Sequence, residues 1–142
     1  MRLLKKKCSE FKIIPEARIV IGEKKYDGEK KRKSGSLPFP TWSLIQDALF
    51  ENQSFDVWSN EIHVSATAYC DEKDEFDERK GVDICEEKID MKYHDKLART
   101  YKRAADTLEK AARAAMEISK RHSDTADAIR DDLCKTYGRM PL

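Results

Sequence analysis

Two hydrophobic periods divide the chain. From Ile62 to Cys70 every second residue is apolar: Ile62, Val64, Ala66, Ala68 and Cys70 face one way, His63, Ser65, Thr67 and Tyr69 the other. That alternation predicts a half-buried strand. From Val82 onward the apolar residues recur every third or fourth position, the period of a helix. Upstream, FKIIPEARIVIGEKKYDG predicts an extended segment broken or begun at Pro15. Proline has no N–H for a central ladder, while Ile13, Ile14, Ile19, Val20 and Ile21 favour extended backbone. Asp27-Gly28 predicts a turn and the lysine-rich stretch beyond it a loop. SFDVW is expected to form the first arm of a hairpin that turns at Ser59-Asn60 into the Ile62 strand.

The helical signals lie on either side of that strand. In FPTWSLIQDALFENQ, Ser43 precedes Gln46 by three residues, the spacing at which two side chains can satisfy each other's orphan backbone donors. A short helix from about Leu44 to Phe50 is expected, with Trp42 just ahead of its cap. Downstream, Leu97, Tyr101, Ala104, Leu108, Ala111, Ala115 and Ile118 alternate in steps of four and three, as in the seam of a coiled coil. Ala98, Ala105, Ala112 and Ser119 widen the stripe with small side chains, which suits close approach of neighbouring helices. The seam steps back through Tyr93, Ile89, Cys85 and Val82, so one helix is predicted from about Glu78 to Lys120, roughly 60 Å at 1.5 Å per residue. A shorter helix carrying Ala126, Ile129, Leu133 and Tyr137 is expected after it, capped by Ser123 or Asp124 and ended by Gly138. Whether the chain reverses at His122 to Asp124 or the helix runs on stays open.

These elements predict an α+β protein of one domain, residues 1–142. A small antiparallel sheet head with one short helix, 1–77, precedes a helical region, 78–138. The helix is longer than a chain of 142 residues can cover by itself. A homo-oligomer is therefore expected, with helices of different chains forming a bundle or coiled coil along the seam.

Charge adds an uneven pattern to this outline. Charged residues are 39% of the chain, mean hydropathy is -0.78 and the net charge is only +1. Residues 1–33 carry twelve bases and five acids (12 − 5 = +7), residues 71–95 five bases and eleven acids (5 − 11 = −6), and residues 96–121 eight bases and three acids (8 − 3 = +5). Such blocks suit self-association or an anionic ligand. Cys8, Cys70, Cys85 and Cys134 share no short spacing, which points to reduced thiols and away from a CxxC or zinc motif. MRLLKKKCSEF lacks the apolar run of a signal peptide, and no stretch of about 18 apolar residues occurs. A cytoplasmic protein with no membrane partner is the expectation.

Catalytic signals are sparse, and neither a metal nor a cofactor is expected. His63, His94 and His122 are the only histidines. Asp90 and His94, four apart on a helix, supply only two ligands to any metal. DEKDEFDE lacks the alternating ligands and central glycine of a calcium loop, and none of the five glycines belongs to a phosphate-binding loop. The sequence predicts a binder, not an enzyme. Opposite the seam, Arg99, Arg103, Asp106, Lys110, Arg113, Glu117 and Lys120 form a stripe in which five of seven residues are basic. It reads either as a solvated face or as a row of donors that grip phosphate. Arg99, Arg103 and Arg113 are the candidate phosphate ligands, and Phe76 or Trp42 the candidate platform for a base. Nucleic acid, aided by Lys5 to Lys7 and Lys30 to Lys33, is the weaker alternative, because acids interrupt the stripe and the acidic block repels a polyanion.

HVSATAYCDEKDEFDERKGVDICEEK carries the one family-like signature: Ala68, Cys70, Asp74, Phe76, Asp77, Gly81, Val82 and Ile84. It resembles a strand-to-helix corner found in many small phage and prophage proteins, although the proline that often follows the cysteine is absent. Physically, Asp77 or Asp74 can cap the helix, Phe76 can fold under its first turn and Gly81 permits close helix–strand approach. The head-and-helices layout is also similar to that of phage anti-defence proteins such as the Thoeris anti-defence sponges, which sequester cyclic nucleotide signals in oligomeric assemblies. The resemblance implies a phage-encoded, non-enzymatic anti-defence binder in the host cytoplasm, with no ligand residue carried over. Its target would be a nucleotide signal. The alternatives are a host defence protein bound directly, as by an anti-CRISPR protein using residues 71–95, or a structural or adaptor role for the seam alone.

Overall fold

Pro15 turns the first extended segment into two strands. In the computed structural model, which describes residues 1–28, 37–54 and 61–138, β1 (Arg2–Lys6) and β2 (Ser9–Ile14) are followed by a 3-10 turn at Pro15–Ala17 and then β3 (Ile19–Asp27). Arg18 closes that turn in the left-handed conformation (φ 55°), its N–H donating to the Pro15 carbonyl at 3.0 Å. Next come α1 (Phe39–Glu51), β4 (Glu61–Tyr69) and α2 (Glu78–Tyr137). The sheet order is β1-β2-β3-β4, antiparallel throughout. An antiparallel sheet followed by a long helix is the α+β arrangement expected. Among the described residues no helix is long and apolar enough to cross a membrane.

β4 presents its faces as the alternation predicts, with Ile62, Ala66 and Ala68 buried and Val64 half-buried. The same face of the sheet receives Phe11 and Ile13 from β2 and Val20 and Tyr26 from β3. Val82, Cys85, Ile89 and Tyr93 of α2, spaced three or four apart, complete one core cluster. Two glycines set the approach. A Cβ on Gly81 would lie 2.7 Å from Val20 Cγ2, and one on Gly22 would meet the Phe11 ring at 2.8 Å and Cys85 Sγ at 3.0 Å. Full burial of each large apolar side chain in such a core stabilises it by about 1.5–3 kcal/mol. The helix also covers the polar edge of β4: Lys88 Nζ donates to the Thr67 carbonyl at 3.0 Å and Lys92 Nζ to that of Ser65 at 2.9 Å.

Two expectations change, and one strand is an addition to them. β1 forms within the lysine-rich arm, where Leu4 packs against the core and Lys6 pairs with Glu86 at 2.6 Å. α1 begins at Phe39, not near Leu44: Pro38 stands at its N-cap and Pro40 lies in its first turn, so Ser43, Gln46 and Trp42 are all inside the helix. Proline suits that end because its missing N–H would have had no partner there. The separate helix after His122 does not form, since α2 is one helix of 60 residues. Within it, Thr125 Oγ1 donates to the Arg121 carbonyl at 2.9 Å, so a residue suited to a cap serves the helix interior. The chain divides into two compact units, residues 1–104 and 105–142. The expected SFDVW arm, the turn at Ser59-Asn60 and the loop beyond Gly28 fall outside the described residues.

Candidate functional site

The acidic corner between β4 and α2 folds around Arg18. Its guanidinium donates to the Asp71 carbonyl at 2.8 Å and to the Asp74 carbonyl, and stands 3.4 Å from Cys70 Sγ. The Cys70 N–H donates to the Arg18 carbonyl at 2.9 Å. Asp77 Oδ1 accepts from the N–H groups of Arg79 at 3.0 Å and Lys80 at 3.3 Å, which makes Asp77 the cap of α2. Phe76 is half-buried against the core. A cavity of about 140 Å³ remains here, lined among others by Cys70, Phe76, Gly81 and Ile84. That is well below the roughly 300–1,000 Å³ of ordinary ligand pockets. The carbonyls that could ligate a cation are already occupied by Arg18.

Farther along α2, Asp90 accepts from the Tyr26 hydroxyl and from Lys24 Nζ at 3.4 Å. These contacts, the Tyr26 hydroxyl first, hold its carboxyl below the usual range against a smaller opposing effect of burial. Tyr26 stacks on Tyr93 with ring centroids 3.9 Å apart, and His94 meets Tyr93 edge-on. Asp90 is therefore engaged with β3. Burial raises the Cys85 thiol above its ordinary pKa, and Cys85 donates to the Ala66 carbonyl at 3.2 Å. Cys85 is a core residue in a closed environment, and all four cysteines are free thiols. His63, on the open face of the sheet, lies 3.2 Å from Glu23 and 3.4 Å from Glu61.

The candidate ligand residues are dispersed. Arg99 and Arg103 are exposed and one turn apart in the first unit; Arg99 Nε donates to the Asp95 carbonyl at 3.4 Å. Asn52 Nδ2, at the end of α1, reaches the Arg103 carbonyl at 3.5 Å. Arg113 belongs to the second unit and pairs with Glu109 at 2.5 Å. Phe76 precedes the start of α2, whereas Arg99 lies some 30 Å along it at 1.5 Å per residue. No single nucleotide spans that distance. Trp42 is half-buried in α1, ten residues before Asn52, which is about 15 Å along that helix.

The seam residues divide as well. Leu97 packs against the chain's own core, Tyr101 is half-buried and Ala104 is 1% exposed. That part of the seam is covered from within the chain and is not open to another copy. Leu108 is half-buried, while Ala111 and Ala115 are exposed and Ile118 is 52% exposed. Sequence reasoning assigned Ile129, Leu133 and Tyr137 to a separate helix, but they continue this stripe. The steps of four from Ile129 to Tyr137 were the available signal. Arg18 gave no signal, because its partners are backbone carbonyls. No known protein family, curated protein or solved structure matches the chain.

Proposed function

We propose that this protein is a non-enzymatic assembly and binding protein that works as a homo-oligomer. Residues 1–104 form its self-contained folded head, and the apolar stripe of α2 beyond Ala104 is the surface on which copies meet. The observation that carries this reading is the uncovered stripe itself. Ile118 and Ile129 are 52% and 56% exposed on a helix whose earlier apolar residues Val82, Cys85, Ile89 and Tyr93 are buried. A helix face of this kind gains most of its stability from packing and not from propensity. The adaptor reading thereby stands ahead of the ligand-only reading. Light scattering over a concentration series should give a multiple of the 16.5 kDa chain mass. A strictly monomeric mass up to about 100 μM, a weak limit for a specific dimer, would remove the proposal.

One observation favours a second role in the same assembly. Arg99 and Arg103 present two exposed guanidinium groups one turn apart, and oligomerisation multiplies such pairs. They support capture of a small anion such as a cyclic nucleotide signal, in keeping with the anti-defence proteins that the head-and-helices layout resembles. A nucleotide bound there would be held through phosphate without Phe76. Calorimetric titration of cyclic dinucleotides should release heat that the Arg99→Ala, Arg103→Ala double variant loses. Heat unchanged by that variant, or absent from the parent protein, contradicts the second role and leaves the first intact. If direct binding to a host defence protein is the function instead, the same titration is silent while the oligomer persists.

A further inference from the structure

We infer that the stripe on residues 108–137 pairs with a second copy of itself in the antiparallel sense, about a two-fold axis close to Ser123 and Asp124. This deepens the assembly proposed above and rests on it. Two independent properties of the helix select the orientation, and a third makes the pairing possible. The first is volume. The earlier half of the stripe is built from Ala111 and Ala115, with Ala112 and Ala114 beside them, and the later half from Ile129, Leu133 and Tyr137. Antiparallel pairing sets small residues against large ones, Ala115 facing Leu133 and Ala111 facing Tyr137, with Ile118 against Ile129 near the centre. Parallel pairing sets alanine against alanine at one end and tyrosine against tyrosine at the other. A close-packed interface needs the first arrangement.

The second property is charge. Residues 110–121 carry Lys110, Arg113, Lys120 and Arg121 against Glu117, giving 4 − 1 = +3. Residues 122–132 carry Arg130 against Asp124, Asp127, Asp131 and Asp132, giving 1 − 4 = −3. The two blocks are equal in size, opposite in sign and adjacent, so only an antiparallel copy brings each against its complement. A parallel copy faces like with like. Lys110, Arg113, Glu117 and Lys120 lie opposite the seam, so the blocks act on one another across the helices and not as direct pairs, and salt screens them over roughly 8–10 Å. They choose orientation more than they add affinity. The third property is continuity. α2 passes through His122 to Asp124 without a break, which keeps both halves of the stripe on one face.

The test places spin labels on full-length protein with Cys8, Cys70 and Cys134 changed to Ser and Lys110→Cys added. Antiparallel pairing about residues 123–124 separates the two labels by some 27 residues of helix, roughly 40 Å along the axis at 1.5 Å per residue. A second variant on the same background, Ser123→Cys, should show the labels close together. A short distance at both positions means parallel pairing and overturns this inference while leaving self-assembly standing. A monomeric mass for the unsubstituted chain overturns both. If the Cys70→Ser change disturbs the fold, the same pair of labels in protein that retains Cys70 gives the same contrast.

Discussion

Ile89 and Ile129 occupy one helix and one residue type, yet Ile89 is 0% exposed and Ile129 is 56% exposed. The difference lies in what faces them. Opposite Val82, Cys85, Ile89 and Tyr93 the sheet offers large residues beside small ones, with Phe11, Gly22 and Ala66 in one row and Ile13, Val20 and Ala68 in the next. Those rows let α2 settle close enough to exclude water. Ile118 and Ile129 stay more than half exposed among the described residues. The periodicity of a helix therefore identifies a face that needs covering without identifying what covers it. In α2 the earlier part is covered by the chain's own sheet and, on the reading proposed here, the later part by a second copy.

Substitutions at the two isoleucines should break this comparison most sharply. Ile89→Ala empties a closed site and should cost about 2–5 kcal/mol, lowering the thermal midpoint by roughly 10 °C or more. Ile129→Ala at a concentration where copies are apart should cost less than about 0.5 kcal/mol. At high concentration it should instead reduce the fraction of oligomer measured by light scattering. Equal costs at the two positions would mean that the halves are not distinct.

Close approach of α2 to the sheet is sharpened by Gly81→Val. Its side chain would be forced into Val20, so a loss of about 1–3 kcal/mol is expected in chemical denaturation. A tolerated valine would contradict the role given to this glycine. Asp77→Ala removes the cap of α2 and should cost about 1 kcal/mol, whereas Asp77→Asn should retain most of it.

The smallest expected effect is in the acid limb of stability. Asp90 has a lowered pKa in the folded chain, so it binds fewer protons there than when unfolded. Its contribution is thus complete above the ordinary carboxylate value of about 4 and is lost as pH falls below it. Asp90→Asn should lower the midpoint slightly at neutral pH and flatten its decline in that window, so that the two proteins converge at low pH. An unaltered acid limb would show that the Tyr26 and Lys24 contacts carry no weight in solution.

The corner was the most legible part of the sequence. Asp77 caps and Gly81 meets Val20, as their spacing implies, and Phe76 packs against the core. β1 was not legible, because Lys5, Lys6 and Lys7 obscure a strand only five residues long whose one inward apolar residue of note is Leu4. Ser43 and Gln46 imitate a capping box, but Pro38 and Pro40 start α1 earlier at no cost in hydrogen bonds. Ser123 and Asp124 imitate a cap likewise, yet nothing in the residues after Lys120 breaks the helix until Gly138, at φ 74°. The candidate ligand residues were individually visible by type. Their separation along α2 was not, because the notional site joined Phe76 to arginines that the helix rise sets far apart.

Hydrogen exchange followed along α2 at several protein concentrations tests the central contrast most directly. Amides of residues 82–104 should be strongly protected at every concentration, because their cover belongs to the same chain. Amides of residues 108–133 should gain protection as concentration rises, because their cover is a second copy. Protection in the later segment that matches the earlier one and does not change with concentration would contradict the account.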